Sequence, residues 1–472
     1  MKKLINKSII FSLIFALTSC NDWLNVSPKT DMKAEDLFST ESGFRDALIG
    51  VYALMSTSNL YGRNLSYAYL DVLAQYYTSP RSNTSTGYEH SLKNAAEYKY
   101  TESGEEARIL SLWSSHFSAI ANINQALLFI DENRDVFTSE DIHCIYKGEF
   151  LALRALLHFN VLRLFAPSPM MDNQNGLNSP AIPYIEVYTN IAQPQLTVKE
   201  VLTKIIKDLL TAKELMEDRE IFNEFDSSSP MYKRNQRMNY YAVTALLARV
   251  YLYGNEKEAA LSQAKEIIGE VDGENPTSYT LATSAATATN PMFQSELIFT
   301  LDVQKLKDLS ESYFVETSLS DVLLMSVKGK QNIFNASGLE NDFRSSWLTL
   351  TSSGNEYVLT KYNGMTYIPM FKLSELYLIA AECADGEDAY GYLNKLRNHR
   401  GLSSIEQTQD IESYIYQEYR REFLGEGQLF FYYKRKLFDT VGAEDKIGIE
   451  DLKVVYNLPI PTSEIDFGNI KN

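Results

Sequence analysis

The sequence predicts a mostly α-helical chain whose helices form a scaffold for an irregular, loop-rich face with short strands. Three observations predict it. Apolar residues recur at spacings of three and four along much of the chain, the signature of helices with one buried face. Two segments far apart repeat a helix–turn–helix pattern with small residues where the helices would cross. The helical period is lost over 56–104 and 270–365, where Gly, Asn, Thr and Ser dominate.

Along the chain, Ser42 to Met55 reads as the first helix, with Phe44, Ala47, Leu48, Val51 and Leu54 on one face. Residues 56–104 are a long loop region with room for short helix or strand. Glu105 to Asp131 is a long helix. A second long helix runs from Ser139, a cap residue, to Phe165, stopped by Pro167. Residues 166–196 form a Pro- and Asn-rich connection. Thr197 to Glu217 follows, with Thr197 as N-cap and Glu200 three residues on. Asn239 to Tyr253 and Glu256 to Ile268 complete this run. Within 270–365 only short strand-like runs stand out, at Leu297–Thr300 and Tyr357–Leu359. Helices resume at Met370 to Cys383, Asp388 to His399 and Ile411 to Gly425, and the tail from Tyr456 to Glu464 is extended around Pro459 and Pro461. The look-alike segments are Ala245–Tyr253 with Ala259, Ala260 and Ala264, and Leu376–Glu382 with Ala389 and Leu393. This is the construction of tetratricopeptide-like repeats.

The first twenty residues carry a different message. Lys2, Lys3 and Lys7 precede the apolar run Ile9–Leu17, and Leu17-Thr18-Ser19-Cys20 closes it. A cationic start, a short apolar run and small residues describe an export signal. The run falls well short of the ~20 residues that span a bilayer. Residues 1–19 are expected to be removed, leaving Cys20 as a lipidated N-terminus, 20–34 as a tether and 35–472 as one body. The acyl chains, at about 0.8 kcal/mol per buried methylene, would hold that body on a membrane surface.

Composition narrows the function. Hydrophobic residues make up 45% and charged residues 22% of the 472, a globular balance. The formal net charge is −17, and becomes more negative once the leader lysines are gone. An acidic surface repels phosphate backbones, so nucleic acid is excluded as a partner. Besides Cys20 only Cys144 and Cys383 remain, too few for a disulfide scaffold. The chain holds 31 Tyr and 23 Phe against 3 Trp, and Tyr rings suit both half-buried packing and stacking on ligands. Catalytic and cofactor fingerprints are missing: no His-Glu-x-x-His, no Gly-x-Ser-x-Gly, no phosphate loop. The acidic turn Asp385-Gly386-Glu387-Asp388 is too short for a calcium loop and reads as solvated. The expectation is a binder without cofactor, metal or catalytic residues.

Several blocks, in order, resemble the SusD/RagB family of outer-membrane nutrient-binding lipoproteins of Bacteroidetes. They are the lipobox at Cys20; Ala152-Leu153-Arg154-Ala155 through Phe165; Ala248-Arg249-Val250-Tyr251-Leu252; and Asp342-Phe343-Arg344 followed by Lys361-Tyr362. Next come Lys372 to Glu382, with Lys372 where Arg is usual, and Glu418 to Arg435, similar to a Glu-x-Arg-Arg-Glu helix leading into Glu-Gly. Leu458-Pro459-Ile460-Pro461 closes the series. Arg420, Arg421, Glu422, Glu426 and Arg435 read as packing pairs rather than as an ionic active site. The resemblance implies a surface lipoprotein that binds oligosaccharide and passes it to a SusC-like TonB-dependent barrel. An oligopeptide ligand, a surface glycosidase and a scaffold for protein alone stay open as alternatives. By resemblance, ligand is held by loops outside the repeats, here 56–104 and 270–347. The candidate contacts there are Tyr76, Tyr77, Arg81, Asn83, Tyr88, Tyr313 and Trp347, with Trp347, beside Arg344, Ser345 and Ser346, the sharpest.

Overall fold

The helices follow one another in space as they do in sequence. The computed structural model describes residues 33–77, 79–82, 92–220, 229, 231–283, 291–316, 321–334, 341–444 and 447–470. Its main helices are α1 (Glu41–Met55), α2 (Ser103–Phe129), α3 (Glu140–Phe165), α4 (Val198–Met216), α5 (Tyr240–Tyr253) and α6 (Lys257–Ile268). After the irregular stretch come α7 (Leu373–Cys383), α8 (Gly386–Asn398), α9 (Ile411–Glu422) and α10 (Leu429–Lys436). From α1 to α8 each helix packs on the next, the arrangement of tetratricopeptide-like repeats. The two look-alike segments are the α5–α6 and α7–α8 hairpins, and α6 packs on α7 to join them.

Local chemistry explains the ends. The Ser139 hydroxyl accepts from the Ile142 N–H at 3.2 Å and starts α3. Thr197 and Glu200 form a complete capping box on α4, and the Asn239 side chain accepts from Ala242 N–H to start α5. Such caps contribute about 1 kcal/mol each. Helix α3 is buried on nearly every side from Ile142 to Phe165, so it is the central rod. Helix α4 is one-sided and lays Val198, Val201, Ile205, Leu209 and Ala212 on the rod, each large aliphatic side chain stabilising by about 1.5–3 kcal/mol. Gly148 permits this approach, since a Cβ there would lie 3.0 Å from Met216 Cγ and 3.1 Å from the Ala212 carbonyl oxygen.

The strands lie in and beside the irregular stretches: β1 (Ser79–Ser82), β2 (Leu297–Asp302), β3 (Asp321–Ser326), β4 (Leu348–Leu350), β5 (Glu356–Leu359), β6 (Tyr367–Lys372), β7 (Thr440–Val441) and β8 (Ile447–Gly448). Antiparallel pairing gives a sheet in the order β1-β3-β5-β4 and two hairpin-like pairs, β2-β6 and β7-β8. Three expectations need correction. Met370 to Lys372 belong to β6 rather than to the next helix, because β2 supplies their ladder partners. Short helices occupy Leu306–Phe314 and Val327–Phe334 inside the stretch expected to be non-helical. The tail is extended only between a helix ending at Tyr456 and another beginning at Thr462.

A loop after α9 locks the C-terminal helices to the first irregular stretch. The wholly buried Asp71 carboxylate accepts from Gly425 N–H at 2.7 Å and Gly427 N–H at 2.9 Å. Gly427 has φ +69°, and a Cβ there would lie 2.6 Å from the Leu65 carbonyl oxygen. Backbone cannot yield as a side-chain tip can. Gly427→Ala is therefore expected to cost about 2–4 kcal/mol, through left-handed strain and a bent Asp71 anchor. A urea midpoint within experimental error of wild type contradicts that account.

Candidate functional site

The two irregular stretches meet in one sheet. Strand β1, from the first stretch, pairs with β3 from the second, with Ser79 opposite Leu324 and Arg81 opposite Val322. Strand β3 continues into β5 through Met325 opposite Tyr357, and β5 into β4 through Val358 opposite Thr349. Val322, Leu324 and Val358 form a small apolar cluster separate from the main core.

The helix Leu306–Phe314 packs on β3, and around its Phe314 lies a packed aromatic floor. Tyr67 sits 5.1 Å from Tyr362 and 5.7 Å from Phe314, measured between ring centroids, and Tyr77 lies 6.1 Å from Phe314. The structure places four of the seven candidate contacts within this interior. Tyr76 is 1% exposed and its hydroxyl donates to the Arg420 carbonyl at 2.7 Å. Tyr77 donates to the Tyr67 carbonyl at 3.2 Å, and Tyr313 is buried. Trp347 is 1% exposed, its indole N–H donates to the Pro291 carbonyl at 3.0 Å, and Lys361 Nζ stands 3.8 Å from its ring centroid. None of the four offers a ring face to solvent. A lone Trp in non-helical sequence signalled a ligand platform, but a large ring also anchors a loop that has no regular structure of its own. Arg81 lies in β1, while Asn83, Tyr88 and Cys20 fall outside the described residues.

Electrostatically, the floor is held by buried ion pairs drawn from the sequence blocks. Arg344 meets Asp342 at 2.7 Å, Glu418 at 2.7 Å and Glu422 at 2.9 Å. Arg400 joins Glu422 to Glu296, and Lys372 joins Glu422 to Glu426, which also takes Lys361 at 2.5 Å. Burial raises the Glu418 carboxyl, but Arg344, Arg421 and Arg397 outweigh it and hold the group at about 2. Two further blocks pair in the same way. Arg154 grips Asp208 through Nε at 2.7 Å and Nη2 at 2.9 Å, and Arg249 grips Glu375 through two contacts of 2.6 Å. Arg435 pairs with Glu382 at 2.6 Å. All of these groups are neutralised in pairs, so they carry packing rather than proton transfer.

A second opening was not foreseen. A groove of about 420 Å³ runs between α2, residues 183–193 and the C-terminal segment 464–470. Trp113, Phe117 and Tyr188 line it, with Ser118, Thr189 and Gln193 among its polar groups. Tyr188 is 54% exposed. Its position in a connection gave no sequence signal. Among the described residues, Glu140, His143 and Cys144 bring metal-ligating atoms within 4.8 Å of one another, but Arg134 already holds both oxygens of Glu140. Cys144 and Cys383 are free thiols.

A repeat superhelix whose insertions build a separate sheet defines a non-repeating binding scaffold rather than a bare solenoid. Comparison makes this specific. A family model described as starch-binding associating with outer membrane matches residues 22–252, and the SusD family model matches residues 319–467. The chain belongs to the SusD/RagB family. SusD-like protein P25 of Formosa agariphila is 22% identical over 501 residues, covering 90% of this chain and 88% of that one. A SusD superfamily protein of Bacteroides thetaiotaomicron superposes with a TM-score of 0.74 at 23% identity, covering 92% and 99% of the two chains. Surface glycan-binding protein A of Bacteroides thetaiotaomicron, solved with laminarihexaose, superposes with a TM-score of 0.69 at 18% identity, covering 92% and 99%. Among the described residues no helix is long and apolar enough to cross a membrane.

Proposed function

We propose that this protein binds an oligosaccharide at the sheet built from its two irregular stretches and hands it to a SusC-like TonB-dependent barrel. The observation that carries this reading is the pairing of Ser79–Ser82 with Asp321–Ser326 over a packed aromatic floor. It makes one rigid platform from the stretches to which the resemblance assigns ligand. The relative solved with laminarihexaose supports the ligand class. The contact role falls to Arg81, Asn83 and Tyr88, while Tyr76, Tyr77, Tyr313 and Trp347 serve as interior packing. An aromatic face with amide and guanidinium donors suits a sugar ring, which offers an apolar face and a rim of hydroxyls. No bond is broken. A lipid on Cys20 keeps the body beside the barrel and raises the effective concentration of the pair.

Calorimetry with laminarihexaose, maltoheptaose and a peptide panel tests this. At least one glycan is expected to bind, and Arg81→Ala with Tyr88→Ala is expected to weaken it about tenfold or more with unchanged melting. Loss on Tyr188→Ala instead, with the Arg81 and Tyr88 variants unaffected, would move the site to the α2 groove. Binding of peptides alone, or measurable glycan cleavage, would overturn the reading.

A further inference from the structure

The helical core contains a cation that forms no ion pair among the described residues. Arg163, on α3, is 3% exposed and lies between two rings, its guanidinium carbon 4.3 Å from the Phe159 centroid and 3.9 Å from that of Phe431. One Nη donates to Gln428 Oε1 at 3.2 Å and the other to Asn160 Oδ1 at 2.7 Å, both neutral groups. Its Nε–H has no acceptor, and among the described residues no carboxylate pairs with it. Lys434, wholly buried, donates to the Arg163 and Tyr456 carbonyls and likewise lacks a carboxylate. Taking a charge out of water is costly unless an opposite charge accompanies it.

Arg163 borders a partly open cavity of about 40 Å³ lined by residues of α3, α5, α7, α9 and α10. Two of the residues that line it, Tyr253 and Tyr432, carry buried hydroxyls that also lack partners among the described residues. The other charged groups on its wall are already closed: Arg249 by Glu375 and Arg435 by Glu382. Glu375 on this wall also attracts Arg163 but is already bound by Arg249, so the charge left over is that of Arg163, with orphaned hydroxyls on two other helices. A cavity of this size is too small for a sugar ring or a phosphate cluster. It has room for one monoatomic anion and a water, at roughly 10–15 Å³ of such space per water-sized sphere.

We propose that this cavity is a halide site, in which chloride accepts from Arg163 Nε–H and the Tyr253 and Tyr432 hydroxyls and neutralises the buried guanidinium. The ion ties α3, α5 and α10 together. Without it, burial and the neighbouring Arg249 push the Arg163 guanidinium down to about 9. This site is independent of the glycan reading, and sugar affinity does not enter its test.

A ligand that binds only the folded state raises the melting temperature with its concentration. The wild-type protein is expected to melt a few degrees higher in 200 mM sodium chloride than in sodium gluconate of equal ionic strength. Tyr253→Phe with Tyr432→Phe removes two donors and keeps both rings, so that chloride-specific shift should fall by at least half. In crystals grown in sodium bromide, an anomalous peak is expected inside the cavity, beside Arg163 Nε. A cavity without a bromide peak, holding water only, overturns the proposal whatever the melting curves show. An equal chloride shift in wild type and double variant also overturns the assigned donors.

Discussion

Arg344→Met is expected to cost about 3–5 kcal/mol, the range for breaking a buried ion pair by removing one partner. Arg344 is wholly buried and meets three carboxylates, Asp342, Glu418 and Glu422. Methionine fills much of its volume but leaves Asp342 with no strong partner, since the next cation, Arg421, stands 3.9 Å away. Glu418 keeps Arg397 and Arg421, and Glu422 keeps Arg400 and Lys372, so the loss concentrates on Asp342 and the loop it caps. That loop carries Trp347, so near-ultraviolet dichroism should report the loosening before global melting. Against a total stability of about 5–15 kcal/mol, the variant is expected to be marginal. Asp342→Asn combined with Arg344→Met should recover part of the loss, because the stranded charge goes with its partner. A loss of unfolding free energy under about 1 kcal/mol for Arg344→Met, from urea titration, would show that the network is replaceable by packing alone.

This network explains what the motifs in the sequence are for. Arg154, Arg249, Arg344, Lys361, Lys372 and the Glu418–Glu426 run are far apart in the chain and carry opposite charges in complementary blocks. Arg249, Arg344, Lys361 and Lys372 find carboxylates in other blocks, while Arg154 takes Asp208 from outside them. For Arg420, Arg421, Glu422, Glu426 and Arg435 a packing role was the sequence reading, because an Arg-Arg-Glu run on a helix ending at Gly-x-Gly is poor catalytic chemistry and good helix-end chemistry. Which block pairs with which was not readable, because ion-pair partners are set by superhelical geometry rather than by spacing. The helices themselves were legible to within a few residues wherever a cap or a strong period marked them, as at Ser139, Thr197 and Asn239. Legibility failed at Met370–Lys372, where apolar residues fit a helix and a strand equally well and only the distant β2 decides.

The candidate site was legible as a region and not as a surface. Loss of period marked both stretches that form the sheet. It did not separate rings that face solvent from rings that hold the loops down. Tyr76 and Trp347 look alike to sequence whether a hydroxyl or indole N–H meets a sugar or a backbone carbonyl, and here the carbonyls of Arg420 and Pro291 take them. Long irregular segments need an internal core, and aromatic side chains supply large buried area with few rotors. In such segments an abundance of Tyr and Trp marks the floor at least as often as the binding face.

Two buried histidines make the fold sensitive to mild acid. His158 lies wholly buried, stacked 3.9 Å from Tyr184, donates through Nδ1 to the Arg154 carbonyl and accepts from Ile185 N–H. Burial lowers it to about 3, against the opposing pull of the Arg154 carbonyl. Burial likewise lowers His116 to about 4, although its Nδ1 bonds the Leu112 carbonyl at 2.7 Å. In both, the folded state binds its proton at lower pH than the unfolded chain, whose histidines titrate near 6.5. Stability from this source is complete above pH 6.5 and falls as the unfolded state takes up protons that the folded state refuses. By pH 5 the loss is about 2 kcal/mol per histidine. Glu418, held at about 2 by Arg344, Arg421 and Arg397, and Glu382, held at about 2 by Arg435 and Lys436, both against burial, add a second acid limb that opens as pH falls through the ordinary carboxylate range. Urea unfolding at pH 7.5 and 5.0 should therefore differ by about 4 kcal/mol in the wild type, before the carboxylates contribute. His116→Leu removes one titrating ring whose Nε2 has no partner, so the same pH step should then cost about 2 kcal/mol. An unchanged difference between the two pH values in that variant would mean that His116 charges inside the fold, and that the helical core is wetter around α2 than its packing implies.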